Sequence, residues 1–93
     1  MKDKIAAVVV TFNRKDLLRI CLNALLKQTR QIDSIIVVNN ASEDGTKEML
    51  ELEFLNNPMF DYLEMEKNMG GAGGFHSGMK RAYDNGYEWL WLM

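Results

Sequence analysis

Polar and glycine-rich residues are concentrated in three short segments of this 93-residue chain. The first is Thr11-Phe12-Asn13-Arg14, the second begins with Asn39-Asn40 and runs to Thr46, and the third is Asn68-Met69-Gly70-Gly71-Ala72-Gly73-Gly74. Amide side chains donate and accept hydrogen bonds together, as recognition of a uracil or thymine edge or a ribose requires. Arginine can pair with a diphosphate, and glycine lets the backbone approach a ligand closely. These residue types favour a nucleotide or another phosphate ligand.

The same residues also allow structural interpretations. Asn39 and Asn40 suit turns that their own side chains close, and Asp44 is better suited to cap a helix than to bind a ligand. Asn13 could equally be the N-cap of the helix that follows it. The sequence leaves both interpretations of the asparagines open.

The glycine segment fits neither of two widespread phosphate-binding motifs. The dinucleotide motif G-x-G-x-x-G fails because His76 stands where the third glycine is needed, and the P-loop motif fails because Met79 stands where its lysine is needed. Five consecutive residues without a side chain larger than methyl cost conformational entropy on folding, which favours a functional reason for them. The alternative is a flexible surface loop in which Gly74 and Gly78 pack a helix against a sheet.

Apolar runs typical of strands alternate with amphipathic patterns typical of helices. The first two strand runs are continuous and β-branched, which indicates burial on both faces as in a parallel sheet, whereas the third alternates and is predicted at an edge. A left-handed cap at Asn85-Gly86 is predicted to end the third helix. The predicted strands are Ile5–Phe12, Ser34–Asn39, Phe60–Met65 and Tyr87–Met93, and the predicted helices are 14–28, 46–54 and the segment from Phe75 to Asn85.

This order predicts an α/β fold, a Rossmann-like parallel sheet of βαβαβαβ topology with right-handed crossovers. The carboxyl ends of parallel strands lie at one rim of the sheet, where ligands gather. The three polar segments are therefore predicted to meet there. Cys21, in the leucine stripe of the first helix, is predicted to lie in the core. Trp89 and Trp91 are predicted to pack against the core.

Composition excludes several classes of protein. The net charge is −2 and no block of basic residues is present, so no nucleic acid partner is expected. One cysteine and one histidine cannot build a disulfide or a zinc site. The apolar runs are too short to cross a bilayer, and no targeting segment is evident, so we expect a cytoplasmic chain. Because the chain stops at Met93 on an apolar strand, we expect the N-terminal part of a longer protein, with self-association through the unfinished sheet edge.

Taken together, the three segments resemble glycosyltransferase family 2, a large class of GT-A enzymes. The stretch from Val8 to Arg14 resembles the family's opening strand and loop, and the stretch from Ile36 to Thr46 resembles its V-D-N/D-x-S-x-D-G-T signature. The stretch from Asn68 to Phe75 is most similar to galactofuranosyl- and rhamnosyltransferase-like members. Asn39 stands where the family usually has aspartate, so its contact would carry no charge.

The resemblance implies inverting transfer of a sugar from UDP or dTDP to a hydroxyl of a glycan or lipid-linked acceptor, in polysaccharide biosynthesis. By position, residues 11–14 with Asn39 and Asn40 would line the base and ribose. Asn68, Gly70, Gly71, Gly73 and Gly74 would border the ribose and diphosphate. Peripheral attachment of the parent enzyme to a membrane is compatible with a lipid-linked acceptor.

The family's acidic metal-binding motif, which would hold Mg²⁺ or Mn²⁺ against the diphosphate, is expected directly after Met93. Residues 1–93 are thus predicted to be the nucleotide-sugar-binding part of the enzyme, without catalytic or metal-binding groups and inactive alone. The alternative is a non-catalytic Rossmann-like nucleotide-binding or interaction domain complete at 93 residues. Aspartates encoded just after Met93 would favour the enzyme, and a stop codon the binding module.

Overall fold

A computed structural model describes residues 4–28 and 32–92 of the chain. Strands and helices alternate strictly, which confirms the predicted βαβαβαβ order. The elements are β1 (Ile5–Thr11), α1 (Lys15–Leu26), β2 (Ser34–Asn39), α2 (Thr46–Glu53), β3 (Phe60–Glu64), α3 (Gly70–Asp84) and β4 (Trp89–Leu92).

The four strands form one parallel sheet in the order β3-β2-β1-β4. Val8 of β1 is paired with Ile36 of β2 on one side and with Leu92 of β4 on the other. The continuous apolar runs of β1 and β2 occupy the centre, where both faces are covered, and β3 lies at an edge as its alternating pattern predicts. The Rossmann-like architecture is therefore confirmed.

Helices cover both faces of the sheet. On one face, α1 and α2 bury Leu22 and Leu50 against Ala7, Val9 and the odd-numbered residues of β2. On the other face, α3 packs against the even-numbered residues of β1 and β2. This two-sided core holds β1 and β2 rigidly, so the loops that leave their carboxyl ends have fixed starting points.

Two glycines let α3 lie directly on the sheet. A Cβ atom at Gly74 would come within 2.6 Å of Val10 Cγ1, and one at Gly78 would overlap Val8 Cγ1. The predicted packing role of these two glycines is thus confirmed. A two-point ion pair between Arg81 and Asp61 of β3, with both N···O distances at 2.8 Å, pins the last turn of α3 to the edge strand.

The glycine segment is helical, which corrects the prediction of a loop. We predicted a helix from Phe75, but α3 begins at Gly70, which has a left-handed φ of 75°. Helix propensity disfavours glycine by about 1 kcal/mol per residue, so the local pattern indicated a loop. Packing of Gly74 and Gly78 on β1 outweighs that local preference. At the other end of α3, Gly86 has a φ of 82°, which confirms the left-handed cap.

Residues near β4 are more exposed than the sequence indicated. Trp91 packs against the core that α1 and α2 share with the sheet, but Trp89 is 56% exposed, so its predicted packing role is wrong. Leu92 is also half exposed.

Cys21 packs against the core while staying partly accessible, and burial raises the pKa of its thiol. Among the helices that the structure describes, none combines the length and apolar character needed to span a membrane.

Candidate functional site

The loops after β1 and β2 interlock at the carboxyl rim of the sheet. Asn13 has a left-handed φ of 49°, a conformation that asparagine tolerates better than most residues. Its N–H donates to Ser42 Oγ at 2.9 Å, and its Oδ1 accepts from the Glu43 N–H at 2.7 Å. Asn13 is therefore not the N-cap of α1 as the alternative interpretation had it, because Arg14 holds that position. Its side chain joins the two loops.

Asp44 closes the N-termini of two helices at once. Its Oδ2 accepts from the N–H of Lys15, the first residue of α1, at 3.0 Å. Its Oδ1 accepts from the N–H and the hydroxyl of Thr46, the first residue of α2. Partial burial opposes ionisation, but the hydrogen bonds from Thr46 and Lys15 outweigh it and lower the pKa of Asp44. Gly45 holds the N-cap position of α2, but the Asp44 carboxylate caps the first N–H of α2, as its predicted capping role requires, and also that of α1.

Asn40 connects the second loop to the other two. Its side chain is almost completely buried, with 2% exposed. Its Oδ1 accepts from the Met69 N–H at 3.0 Å, and its Nδ2 donates to the Gly70 carbonyl at 2.9 Å. Its own N–H donates to the Thr11 carbonyl at 2.9 Å. One carboxamide thus sets the position at which α3 begins relative to β1.

Asn39 points into the protein and serves the turn. It is 1% exposed, and its Oδ1 accepts from the Ser42 N–H at 3.0 Å. Its Nδ2 donates to the Tyr62 hydroxyl, which donates onward to Glu64 Oε1, each bond being 3.0 Å long. Burial, together with the neighbouring Glu64 carboxylate, raises the pKa of Tyr62 to about 12. The turn interpretation fits Asn39 better than direct contact with a ligand.

A cleft of 410 Å³ lies where the three loops meet. This volume is within the range of small-molecule sites. Of the predicted site residues, those that line it are Thr11, Phe12, Arg14, Asn40, Asn68, Gly70 and Gly71.

The remaining predicted site residues take other positions. Asn13 lies in the loop junction, Asn39 lies beneath the turn, and Gly73 and Gly74 face Met69 and Val10 instead of the cleft. Phe75 and Val10 line the cleft although the sequence analysis did not select them. Phe75 lies one helical turn beyond Gly71, so recognising that α3 starts at Gly70 would have placed it at the site.

The cleft carries positive charge without a matching acid. Arg14 is exposed, and no residue of 4–28 or 32–92 forms an ion pair with it. The N-terminus of α3 also lines the cleft, and its Gly70 N–H is bonded at 2.8 Å to a neutral acceptor, Asn68 Oδ1. The next amides of a helix's first turn lack intrahelical partners and carry its positive dipole end. The arrangement can bind an anion, and within the described residues no cluster of potential metal ligands accompanies it.

Comparison with known proteins identifies the class to which this fold and cleft belong. Residues 6–93 match the family described as Glycosyl transferase family 2, and the chain belongs to that family. It is 39% identical over 90 residues to the galactofuranosyltransferase GlfT1 of Mycolicibacterium smegmatis and 41% identical over 92 residues to that of Mycobacterium tuberculosis strain H37Rv. Those alignments cover 97% and 99% of this chain but only 29% and 30% of the relatives.

The fold is also similar to that of a solved enzyme. The mannosyltransferase PcManGT from Pyrobaculum calidifontis, solved in complex with GDP-Man and Mn²⁺, superposes with a TM-score of 0.79 at 22% identity. The match covers 88% of this chain and 25% of the mannosyltransferase. This likeness confirms the predicted GT-A type of fold.

Proposed function

We propose that this chain forms the donor-nucleotide site of an enzyme that transfers a sugar from a nucleoside diphosphate to an acceptor hydroxyl in glycan biosynthesis. The observation that carries the proposal is the cleft where the three rim loops meet, which is lined by both Arg14 and the glycine turn of α3. The similarity to galactofuranosyltransferases supports a transferase over the non-catalytic binding module.

Two groups of residues that line the cleft suit different parts of such a donor. Thr11, Phe12 and Asn40 lie on the side of β1 and β2 and are proposed to contact the base and ribose. Arg14 and the amides that follow Gly70 are proposed to contact the diphosphate, because both present positive charge to it. A UDP or dTDP donor, inversion at the sugar carbon and a peripheral membrane location of the whole enzyme remain predictions from the family resemblance.

A divalent metal is proposed for the whole enzyme but not for the residues described here. Residues 4–28 and 32–92 contain no group of three potential metal ligands, so they do not fit an Mg²⁺ or Mn²⁺ site. The solved mannosyltransferase contains Mn²⁺ with its GDP-linked donor. We therefore propose that the metal ligands follow Met93, and that this chain alone binds nucleotide but transfers no sugar.

Calorimetry with UDP, dTDP, GDP and ADP, without added metal, tests the proposal. We expect UDP or dTDP to bind more tightly than the purine nucleotides. Arg14→Ala should weaken binding at least tenfold, since a hydrogen bond to a charged group contributes about 1.5–3 kcal/mol. Lys27→Ala is the matched control, because it removes one positive charge just beyond the other end of α1. Equal or absent binding of all four nucleotides would contradict the proposal.

Self-association of the chain is a further proposal from the sheet edge. β4 pairs with β1 on one side, and Trp89 and Leu92 are half exposed next to its other side. Exposed apolar edge strands are prone to pair with another chain. Light scattering should show dimers or larger species whose fraction grows with concentration, and Trp89→Lys should reduce it. A strictly monomeric chain at high concentration would contradict this.

A further inference from the structure

We propose that Asp44 is a positioning residue for the nucleotide cleft: its carboxylate ties α1 to α2 and thereby holds Arg14 in the cleft wall. Asp44 does not itself line that cleft. The inference rests on the proposed function of the cleft and assigns a role to a residue that lies outside it.

The position of Arg14 depends on anchors to the second loop. Its side chain forms no ion pair or hydrogen bond with a described residue, so its place in the cleft is set by the backbone that carries it. On one side, Asn13 is held by Ser42 and the Glu43 N–H. On the other side, the Lys15 N–H is held by Asp44 Oδ2. Arg14 therefore sits between two anchors that both come from residues 42–44.

The anchor at Lys15 requires a carboxylate and not only a polar side chain. Asp44 accepts three hydrogen bonds, one from Lys15 and two from Thr46, through two different oxygens. An asparagine has a single acceptor oxygen. In Asp44→Asn, one helix would keep its hydrogen bond, and the other would face an NH₂ group that cannot accept one. The substitution thus uncouples α1 from α2 without changing the size of the side chain.

Glu43 provides the matched control. It is the neighbouring acidic residue, its side chain is exposed, and within the described residues that side chain makes no hydrogen bond or ion pair. Glu43→Gln removes the same charge from the adjacent residue of the same loop. Any change caused only by net charge would therefore appear in both variants.

The test is calorimetric titration of the 93-residue chain with UDP, for the two single variants, Arg14→Ala and the double variant Asp44→Asn/Arg14→Ala. We expect Asp44→Asn to weaken UDP binding about 5- to 20-fold and Glu43→Gln to change it less than twofold. Because Asp44 is proposed to act through Arg14, the double variant should bind within twofold of Arg14→Ala alone. If Asp44 had a purely structural role, the loss of affinity in the double variant would instead equal the product of the losses in the two single variants. Such losses, or unchanged affinity in Asp44→Asn, would overturn the inference.

A second measurement separates failure of this inference from failure of the proposed function. Amide hydrogen exchange of the ligand-free chain should be faster at Lys15 or at Thr46 in Asp44→Asn than in Glu43→Gln, because the single acceptor oxygen of asparagine serves one of these two amides. Exchange in the middle of α3 should be the same. Unchanged rates at both Lys15 and Thr46 would overturn the positioning role whatever the nucleotide does. Absence of UDP binding in the unaltered chain, by contrast, would contradict the proposed function.

Discussion

The helix N-termini at the rim of the sheet are closed in two different ways. A carboxylate, Asp44, receives hydrogen bonds from the first residues of both α1 and α2, so the positive ends of those helices are already matched by a negative charge. At α3, the capping acceptors are the neutral amide oxygens of Asn68 and Asn40. The difference indicates which N-terminus remains available to an anion: that of α3, at the cleft that Arg14 also lines.

Four predictions test this contrast between the N-termini of α1 and α2, which a carboxylate caps, and the N-terminus of α3, which neutral amides cap. The largest effect is expected where a carboxylate would replace an amide that donates a hydrogen bond of its own. Asn39→Asp should destabilise the chain by about 2 kcal/mol near neutral pH, because the single Tyr62 hydroxyl proton would then be shared between two carboxylates. Urea unfolding measures the loss.

Adding Glu64→Gln to Asn39→Asp provides the control. In this double variant the introduced glutamine amide can donate to the Tyr62 hydroxyl, and that hydroxyl can donate to the introduced aspartate, so the chain of hydrogen bonds runs in the opposite direction. Most of the lost stability should then return. If Asn39→Asp is as stable as the unaltered chain, or if the second substitution restores nothing, the account of Asn39 is wrong.

The packing of Gly74 and Gly78 on the sheet should determine the position of α3 more strongly than the neutral amide cap at its N-terminus. Gly78→Ala should cost about 1–3 kcal/mol, because a methyl group would overlap Val8. Gly71→Ala is the matched substitution in the same helix, where the added carbon would point into open space and contact only its own stretch of α3. It should be neutral or stabilise by at most about 1 kcal/mol. Thermal unfolding of both variants measures the two costs. A similar loss of stability in both would contradict the distinction between the packed Gly78 and the unpacked Gly71.

The carboxylate cap should make stability depend on pH. The pKa of Asp44 is lowered in the folded chain, so its contribution is present above the unfolded value of about 3.9 and is lost as pH falls through the folded value. Asp44→Asn should therefore be less stable than the unaltered chain by about 1 kcal/mol at pH 7, and the difference should shrink below about pH 4. A difference that is constant from pH 7 to pH 3 would argue against an ionised cap.

A carboxylate at α3 should make its N-terminus resemble the other two. Asn68→Asp keeps the hydrogen bond to the Gly70 N–H and adds a negative charge at the positive end of the helix. We expect stabilisation by a few tenths of a kcal/mol, together with UDP binding that is several-fold weaker. Chemical denaturation and calorimetry give the two values. Tighter UDP binding in this variant would mean that the anion does not bind at α3.

The sequence predicted those features that depend on regular patterns. Continuous β-branched runs placed β1 and β2 at the centre of a parallel sheet, and Asp44 before Gly45-Thr46 indicated a cap. The start of α3 was not predictable from local propensity, because the packing that favours a helix there, of Gly74 on Val10 and of Gly78 on Val8, involves residues distant in the sequence.

The direction in which each asparagine points was equally hidden in the sequence. Asn39 is the last residue of β2 and Asn40 the first residue after it; Asn39 reaches Tyr62 while Asn40 reaches α3. Which of them lies beside the cleft depends on partners that are more than 20 residues away in the chain. The second anchor of Asp44, to Lys15, is 29 residues away and left no local signal either.

The central claim is that the phosphate groups of a nucleotide bind between Arg14 and the first turn of α3. A titration of ¹⁵N-labelled chain with UDP, followed by amide chemical shifts, tests it most directly. The account predicts the largest shifts at Gly70, Gly71 and Ala72, with small shifts at Lys15 and Thr46, whose amides already bond to Asp44. Largest shifts at Lys15 and Thr46, or none at the glycine turn when UDP is saturating, would contradict it.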